Sequence, residues 1–522
     1  MSRNGPHTMR RSPGRGHAVV VGASMAGLCV ARALADTFDR VTVVDRDRLP
    51  HEAAHRNGAP QDRHLHAILA AGLDAFEELF PGLRDELTTN GAVTAGLHRW
   101  RFCLNGHRLT PMREHRAPTL IQATCPFIEA HVRERVRADP AITLLDRCEV
   151  RGVVPCPDRR RVLGARVMGR DDRQERTLHA ELVVDCSGRR SPLPAWLAEL
   201  GYPAPDVDEV HVDLRYVTRQ YRLPPEALDG DVGVLSGFTP ELGRGAGLER
   251  IENDRWIVTL AGIGGERPPL QTEPFHAYAA TLPIPDVHDA IVGEEPLDEP
   301  AAYRYPSNRR HRYERLDDFP SGLLVAGDAV SSFDPVYGQG MTVAALEAVA
   351  LRNLLRRGQQ PSARRWFAAI EPVVDVAWDI ATGTDIAIAG VEGHAGLRTR
   401  LINAYVSRLH AAAAHDPTLA ELFIRVFNFL DPPGRLLWPG AAARVLRGNL
   451  PRRGHGASPP RGVTATLERD AGRGGAGAGS SSNTPPSESD RSHAGHGREW
   501  VDEEGRRGIV TMGRGRARGR RP

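Results

Sequence analysis

A chain of 522 residues, 41% hydrophobic and 25% charged, has the make-up of a folded protein with room for two or three lobes. A formal net charge of +3, with no basic stripe interleaved with aromatics ahead of the C-terminal tail, argues against nucleic acid as a partner of the folded part. All 68 basic side chains are arginine, which excludes mechanisms that need a lysine ammonium: the Walker-type phosphate lysine and the pyridoxal Schiff base.

Residues 1–15 are rich in Arg, Pro and Gly and read as a disordered leader. Arg10-Arg11 ahead of an apolar stretch mimics an export signal, but Gly22, Ser24, Gly27 and Arg32 interrupt that stretch and a strand pattern follows it. A cytoplasmic location is therefore expected, and the six scattered cysteines, with no C-x-x-C pair, fit a reduced compartment. No run reaches the roughly 20 apolar residues that span a bilayer, so no membrane span is expected.

Folding is expected to begin near His17. A strand at 18–21, a glycine-punctuated turn at 22–27, a helix at 28–38 and a strand at 41–44 make a β-α-β unit. Helical spacing marks 66–80 and 126–138, and the runs 162–167 and 178–184 resemble the two arms of a hairpin. Alternation dominates 207–265, with Val210, Val212, Leu214 and Tyr216 on one face and a turn at Asn253-Asp254, which predicts a mainly antiparallel sheet. A buried strand at 323–326 precedes a turn and a helix over 341–355, and 362–450 is mostly helical, broken at Pro432-Pro433 and Pro439. The segment 453–522 lacks the large apolar groups needed to fold and reads as a disordered tail.

Two motifs carry chemistry. Gly22-Ala-Ser24-Met-Ala-Gly27 lies between strand and helix, with Asp45 closing the next strand 18 residues after Gly27. Gly22 permits the tight turn, a small middle residue lets backbone approach a pyrophosphate, and Gly27 lets helix and strand pack. Asp45 then stands where an adenosine ribose offers its hydroxyls. Far downstream, Leu323-Leu-Val-Ala-Gly327-Asp328 delivers an acid to a second, ribityl-type hydroxyl. Asp334-Pro335-Val-Tyr337-Gly338-Gln-Gly340-Met341 then opens a helix whose N-terminus suits a flavin oxygen or a pyrophosphate, which FAD needs and NAD does not.

Together these blocks resemble the FAD-dependent monooxygenases of the aromatic hydroxylase and squalene epoxidase type, over roughly 17–450. Pro60-Gln61-Asp62-Arg63-His64-Leu65-His66, Arg255-Trp-Ile-Val-Thr and 327–341 look most like a bacterial epoxidase-like branch acting on polyketides. The resemblance implies FAD contacts at Gly22, Ser24, Gly27, Asp45, Arg63, Asp328, Pro335, Gly338, Gly340 and Met341. It also implies molecular oxygen as co-substrate and a hydrophobic secondary-metabolite-type small molecule, hydroxylated or epoxidised through a flavin hydroperoxide without a side-chain nucleophile.

The expected fold class is α/β: a FAD/NAD(P)-binding Rossmann-like domain over 16–206 and 301–358, an antiparallel-sheet substrate domain over 207–300, and C-terminal helices over 359–452. The sheet would face the flavin and the C-terminal helices would close the pocket.

Two positions depart from the resemblance. Many relatives carry a cofactor-touching arginine ahead of the 126–138 helix, where this chain has Cys125. Asp185-Cys-Ser187-Gly188-Arg-Arg-Ser191 stands where hydroxylases carry an Asp-Gly pair, so the electron donor is either NAD(P)H or a separate reductase. That segment is otherwise a plain strand-ending turn, and Tyr337 and Trp256 either line a pocket or pack. His64 and His66 have no third ligand nearby, so no metal is expected. The alternatives are an FAD-dependent reductase of the geranylgeranyl reductase type and a non-enzymatic binder using the Arg-rich tail. Flavin halogenation would require a Trp-x-Trp-x-Ile-Pro segment and a lysine that the chain lacks.

Overall fold

The computed structural model describes residues 15–224, 226–358, 362–393 and 395–450, with the backbone of 499–501 and 507–509. The leader and the tail expected from the sequence lie outside these residues, apart from Arg15 and the two short strands Glu499–Val501 and Arg507–Ile509, which pair antiparallel.

The first strand, Arg15–Val21, is central in a five-stranded sheet. Ala18, Val19 and Val20 have no exposure at all, as a strand covered on both faces must. The helix Met25–Ala35 crosses over to Phe38–Val44, which pairs parallel to the first strand from Arg15↔Phe38 to Val21↔Val44. Ile142–Leu145 adds the edge beyond it. On the other side come Leu182–Asp185 and then Leu323–Val325, again parallel. All five strands therefore point their C-terminal ends to one rim, where ligands of open parallel sheets bind.

The second sheet has eight strands, in the order Ser331–Ser332, Ala301–His311, Val207–Tyr221, Arg255–Gly262, Arg244–Ile251, Gly233–Ser236, Trp100–Leu104 and His107–Arg108. Neighbours are antiparallel except Gly233–Ser236 and Trp100–Leu104, which run parallel. Asn253 and Asp254 take left-handed φ values of 63° and 53° at the turn, which their short polar side chains tolerate. The sheet is wider than the expected 207–300 segment. Ala301–His311 zips along Val207–Tyr221, and Trp100–Leu104 joins from far upstream, a pairing that local alternation cannot reveal.

The expected hairpin over 162–184 needs correction. Val162–Gly169 pairs with Glu175–His179, but Leu182–Asp185 leaves that hairpin for the parallel sheet. Leu182, Val183 and Val184 are buried, and an uninterrupted apolar run suits a strand covered on both faces better than a hairpin arm.

The helices Ala363–Asp385, Leu397–Ala413, Pro417–Phe427 and Pro439–Gly448 occupy most of 363–450, with Pro433 and Pro439 each starting a new helical turn. None of the described helices is long and apolar enough to cross a membrane.

Candidate functional site

At the rim of the parallel sheet the chain turns at Gly22, whose φ of 97° suits glycine; a Cβ there would lie 2.6 Å from the Cys186 carbonyl oxygen. A Cβ on Gly27 would lie 1.9 Å from the Gly22 carbonyl oxygen, so helix and turn pack backbone on backbone. Ser24 caps the helix without a side-chain hydrogen bond to its N–H groups, leaving them facing the cleft. Asp45 braces this turn: Oδ2 accepts from the Ala23 N–H at 2.6 Å and Oδ1 from the Asp47 N–H at 2.8 Å.

The second turn meets the first. Gly327 has a φ of 65°, and a Cβ there would come within 2.7 Å of the Ala26 Cβ. Its N–H donates to Glu347 Oε2 at 2.6 Å. Burial pushes Glu347 up to about 8, opposed by the Gly327 N–H and assisted by Asp328. Asp328 is open to the cleft, yet its crowded surroundings push it up to about 6 against the pull of Arg189.

Gly338, with a φ of 63°, leads into the helix Gly340–Arg356, in which Met341 is buried. Gln339 between them is buried with neither amide atom partnered among the described residues, which costs about 1–3 kcal/mol for each unmet group. Two converging glycine turns, uncapped helix N–H groups and an orphaned amide fit a dinucleotide whose phosphates and ring need backbone and amide donors.

Sequence reasoning missed the buried arginine of this site. Arg56 grips Glu129 through Nε at 2.8 Å and Nη2 at 3.0 Å, donates to Ser24 Oγ at 3.2 Å, and lies 3.9 Å from Asp45 and 3.6 Å from Asp47. Burial works against its charge, but Glu129, Asp45 and Asp47 outweigh it and hold the guanidinium above its ordinary value. Glu129 also binds Arg133 at 2.7 Å. Cys125 starts the same helix, its thiol pushed well up by burial and by Glu129 and Asp62. So an arginine does reach the glycine turn, from a loop position that no sequence pattern distinguishes. Arg63, seven residues later, is exposed.

Asp185 is buried and held raised by burial, although it accepts hydrogen bonds from the Ser187 N–H at 2.9 Å and the Ser191 hydroxyl. Arg189 reaches across to the second sheet, donating to the Ser307 carbonyl and Ser307 Oγ at 2.6 Å and stacking 5.0 Å from the Tyr305 ring. The segment thus ties the two sheets together.

Between the second sheet and the turn lies an apolar pocket, partly open to solvent, lined by Leu65, Tyr216, Phe238, Ala261, Pro335 and Val336, among others. Glycines 245 and 247 keep its floor open, and Ile388, just past the helix Ala363–Asp385, packs with Tyr216, Phe238 and Ala261 behind it. Tyr337 turns away from it to donate to Asp385 at 2.7 Å, while Trp256 lies in the core on the sheet's far side.

A polar relay runs along the wall. The Leu65 N–H donates to Thr259 Oγ1 at 3.0 Å, Thr259 and Thr218 hydroxyls share a 2.6 Å bond, and Thr218 lies 2.7 Å from His64 Nδ1. His64 Nε2 is a buried nitrogen without a partner among the described residues. Burial, then the charges of His66 and Arg63, push His64 down to about 3, so the ring stays neutral across the physiological range. His66 bonds the His64 carbonyl.

The chain matches the family model described as FAD binding domain over residues 16–364. It is 34% identical over 433 residues to protein Rv3254 of Mycobacterium tuberculosis, covering 80% of this chain and 90% of that protein. PqsL from Pseudomonas aeruginosa, a probable FAD-dependent monooxygenase, shares the fold at a TM-score of 0.55 and 19% identity, over 71% of this chain and 96% of that one. A flavoprotein/dehydrogenase from Cytophaga hutchinsonii does so at 0.59 and 14%, over 83% and 99%. With the family match spanning both glycine turns, the chain belongs to the FAD binding domain family and is an FAD-dependent oxidoreductase.

Proposed function

We propose that the chain is a cytoplasmic FAD-dependent monooxygenase that places one oxygen atom of molecular oxygen on a hydrophobic small molecule, by hydroxylation or epoxidation. The observation that carries this reading is the apolar pocket, one wall of which, Pro335-Val336, belongs to the turn that opens the helix Gly340–Arg356. A substrate there abuts the segment that holds the cofactor. FAD would lie along Gly22, Ser24, Gly27 and Asp45 at one end and Asp328, Pro335, Gly338, Gly340 and Met341 at the other, with Arg63 at the rim.

Reduced FAD supplies the reaction with oxygen, and NAD(P)H or a separate reductase supplies the electrons. The chain's own residues do the rest. Glycine-turn N–H groups and the Gln339 amide bind and orient, and the apolar lining excludes water.

The Ser187-Gly188 pair favours a second reading, a reductase of the geranylgeranyl reductase type. Turnover under isotopically labelled oxygen separates the two. Label is expected in the product, and undiminished conversion under strict anaerobiosis with an electron donor would overturn the monooxygenase reading.

A further inference from the structure

The C-terminal helices leave an apolar face bare. Of the ten large hydrophobic side chains that stand exposed among the described residues, seven belong to this short region: Leu397, Leu401, Ile402, Leu437, Trp438, Leu446 and Leu450. Within the helix Leu397–Ala413, positions 402, 405 and 409 share one stripe at helical spacing. Leu409 at its C-terminal end is buried, whereas Ile402 at the other end is uncovered. Leu437-Trp438 joins that bare end, because the Tyr405 hydroxyl donates to the Leu436 carbonyl at 2.6 Å. The helix Pro439–Gly448, which carries Leu446, is pinned alongside by the Asn449 amide donating to the Arg408 carbonyl at 2.8 Å.

Within residues 395–450 the unpaired charges have one sign. Residues 395–450 hold seven arginines and three acids. All three acids are already paired: Asp416 with Arg444, Glu421 with Arg113 and Arg116, and Asp431 with Arg425 and Arg435. Arg398, Arg400, Arg408 and Arg447 are exposed and have no ion pair among the described residues. A tryptophan and leucines set among unneutralised arginines form the pattern of an element lying in the interface of a membrane. The apolar side chains enter the acyl boundary and the guanidinium groups meet lipid phosphates. A protein partner buried against this face would instead leave four guanidinium groups needing carboxylates.

We propose that this face docks the enzyme peripherally on the surface of an anionic phospholipid bilayer, with no segment crossing it. Full-length, FAD-loaded protein is sedimented with phosphatidylcholine vesicles and with vesicles containing about a third phosphatidylglycerol. Binding at least tenfold stronger to the anionic vesicles is expected, weakening as salt is raised. The combined variant Leu401→Ser, Trp438→Ser, Leu446→Ser should lose at least tenfold of that binding while keeping its flavin spectrum, since none of the three side chains is buried. The Arg-rich tail is intact in this variant, so unchanged vesicle binding would assign the attraction to the tail and overturn the proposal. No binding by the wild type would also overturn it, as would a wild-type dimer that the variant converts to monomer, which would give the face to a second copy of the chain.

Discussion

The two sheets present different kinds of surface to a ligand. The parallel sheet buries its strands on both faces and offers only its rim, so whatever binds there meets turns, helix N-termini and backbone N–H groups. The mixed sheet offers one broad face, so whatever binds there meets side chains gathered from distant strands: Tyr216, Leu235, Thr259, Ala261. A backbone site has little tolerance for added atoms, while a side-chain site can be reshaped without unmaking the fold.

The sharpest way to break this contrast is at Gly27. A valine there would force carbon atoms into the Gly22 carbonyl oxygen, which a Cβ alone would approach to 1.9 Å. Gly27→Val should lower FAD affinity at least 100-fold, about 2.7 kcal/mol, and yield protein without the flavin absorption bands. A variant that purifies yellow and binds FAD as tightly as the wild type would show that the rim does not depend on close backbone approach.

The next effect tests whether the rim is backbone alone. Arg56 ties Ser24 to Glu129 from inside the protein, and removing it would leave Glu129 buried with Arg133 as its remaining close cationic partner. Breaking such a pair costs about 3–5 kcal/mol, so Arg56→Met should lower the urea midpoint sharply, and adding Glu129→Gln should recover part of the loss. Additive losses in the double variant would mean that the two side chains act independently.

The same contrast explains what could be read from sequence. Gly22, Gly27, Asp45, Gly327 and Asp328 were legible because a turn that must admit backbone or ligand closely leaves a glycine at a fixed spacing. The alternation over 207–265 was legible for a similar local reason. Arg56 and Glu129 were not, because a buried ion pair brings together a loop and a helix with no period to betray it, and Glu347 meets the Gly327 N–H only through the packing of its helix on the second turn. The His64–Thr218–Thr259 relay was equally hidden, since it depends on register between strands and a loop 154 residues apart. Leu182–Asp185 was misassigned because a hairpin arm and a parallel strand have the same short apolar signature.

The smallest effect concerns how the second turn is held. Glu347 accepts the Gly327 N–H, and its pKa, about 8, lies above the ordinary glutamate range that it regains on unfolding. Between about pH 4.5 and 8 the folded chain holds a proton that the unfolded chain has released, so stability from this group falls as pH rises through that window, by at most about 1.4 kcal/mol per pH unit. Glu347→Gln keeps an oxygen for the Gly327 N–H but cannot titrate. Unfolding temperatures measured across this range should therefore fall less steeply with pH in the variant, the two proteins being closest at the acid end. Identical slopes would mean that Glu347 does not carry a proton in the fold, and that Gly327 is held against Ala26 by backbone geometry alone, as Gly27 is against Gly22.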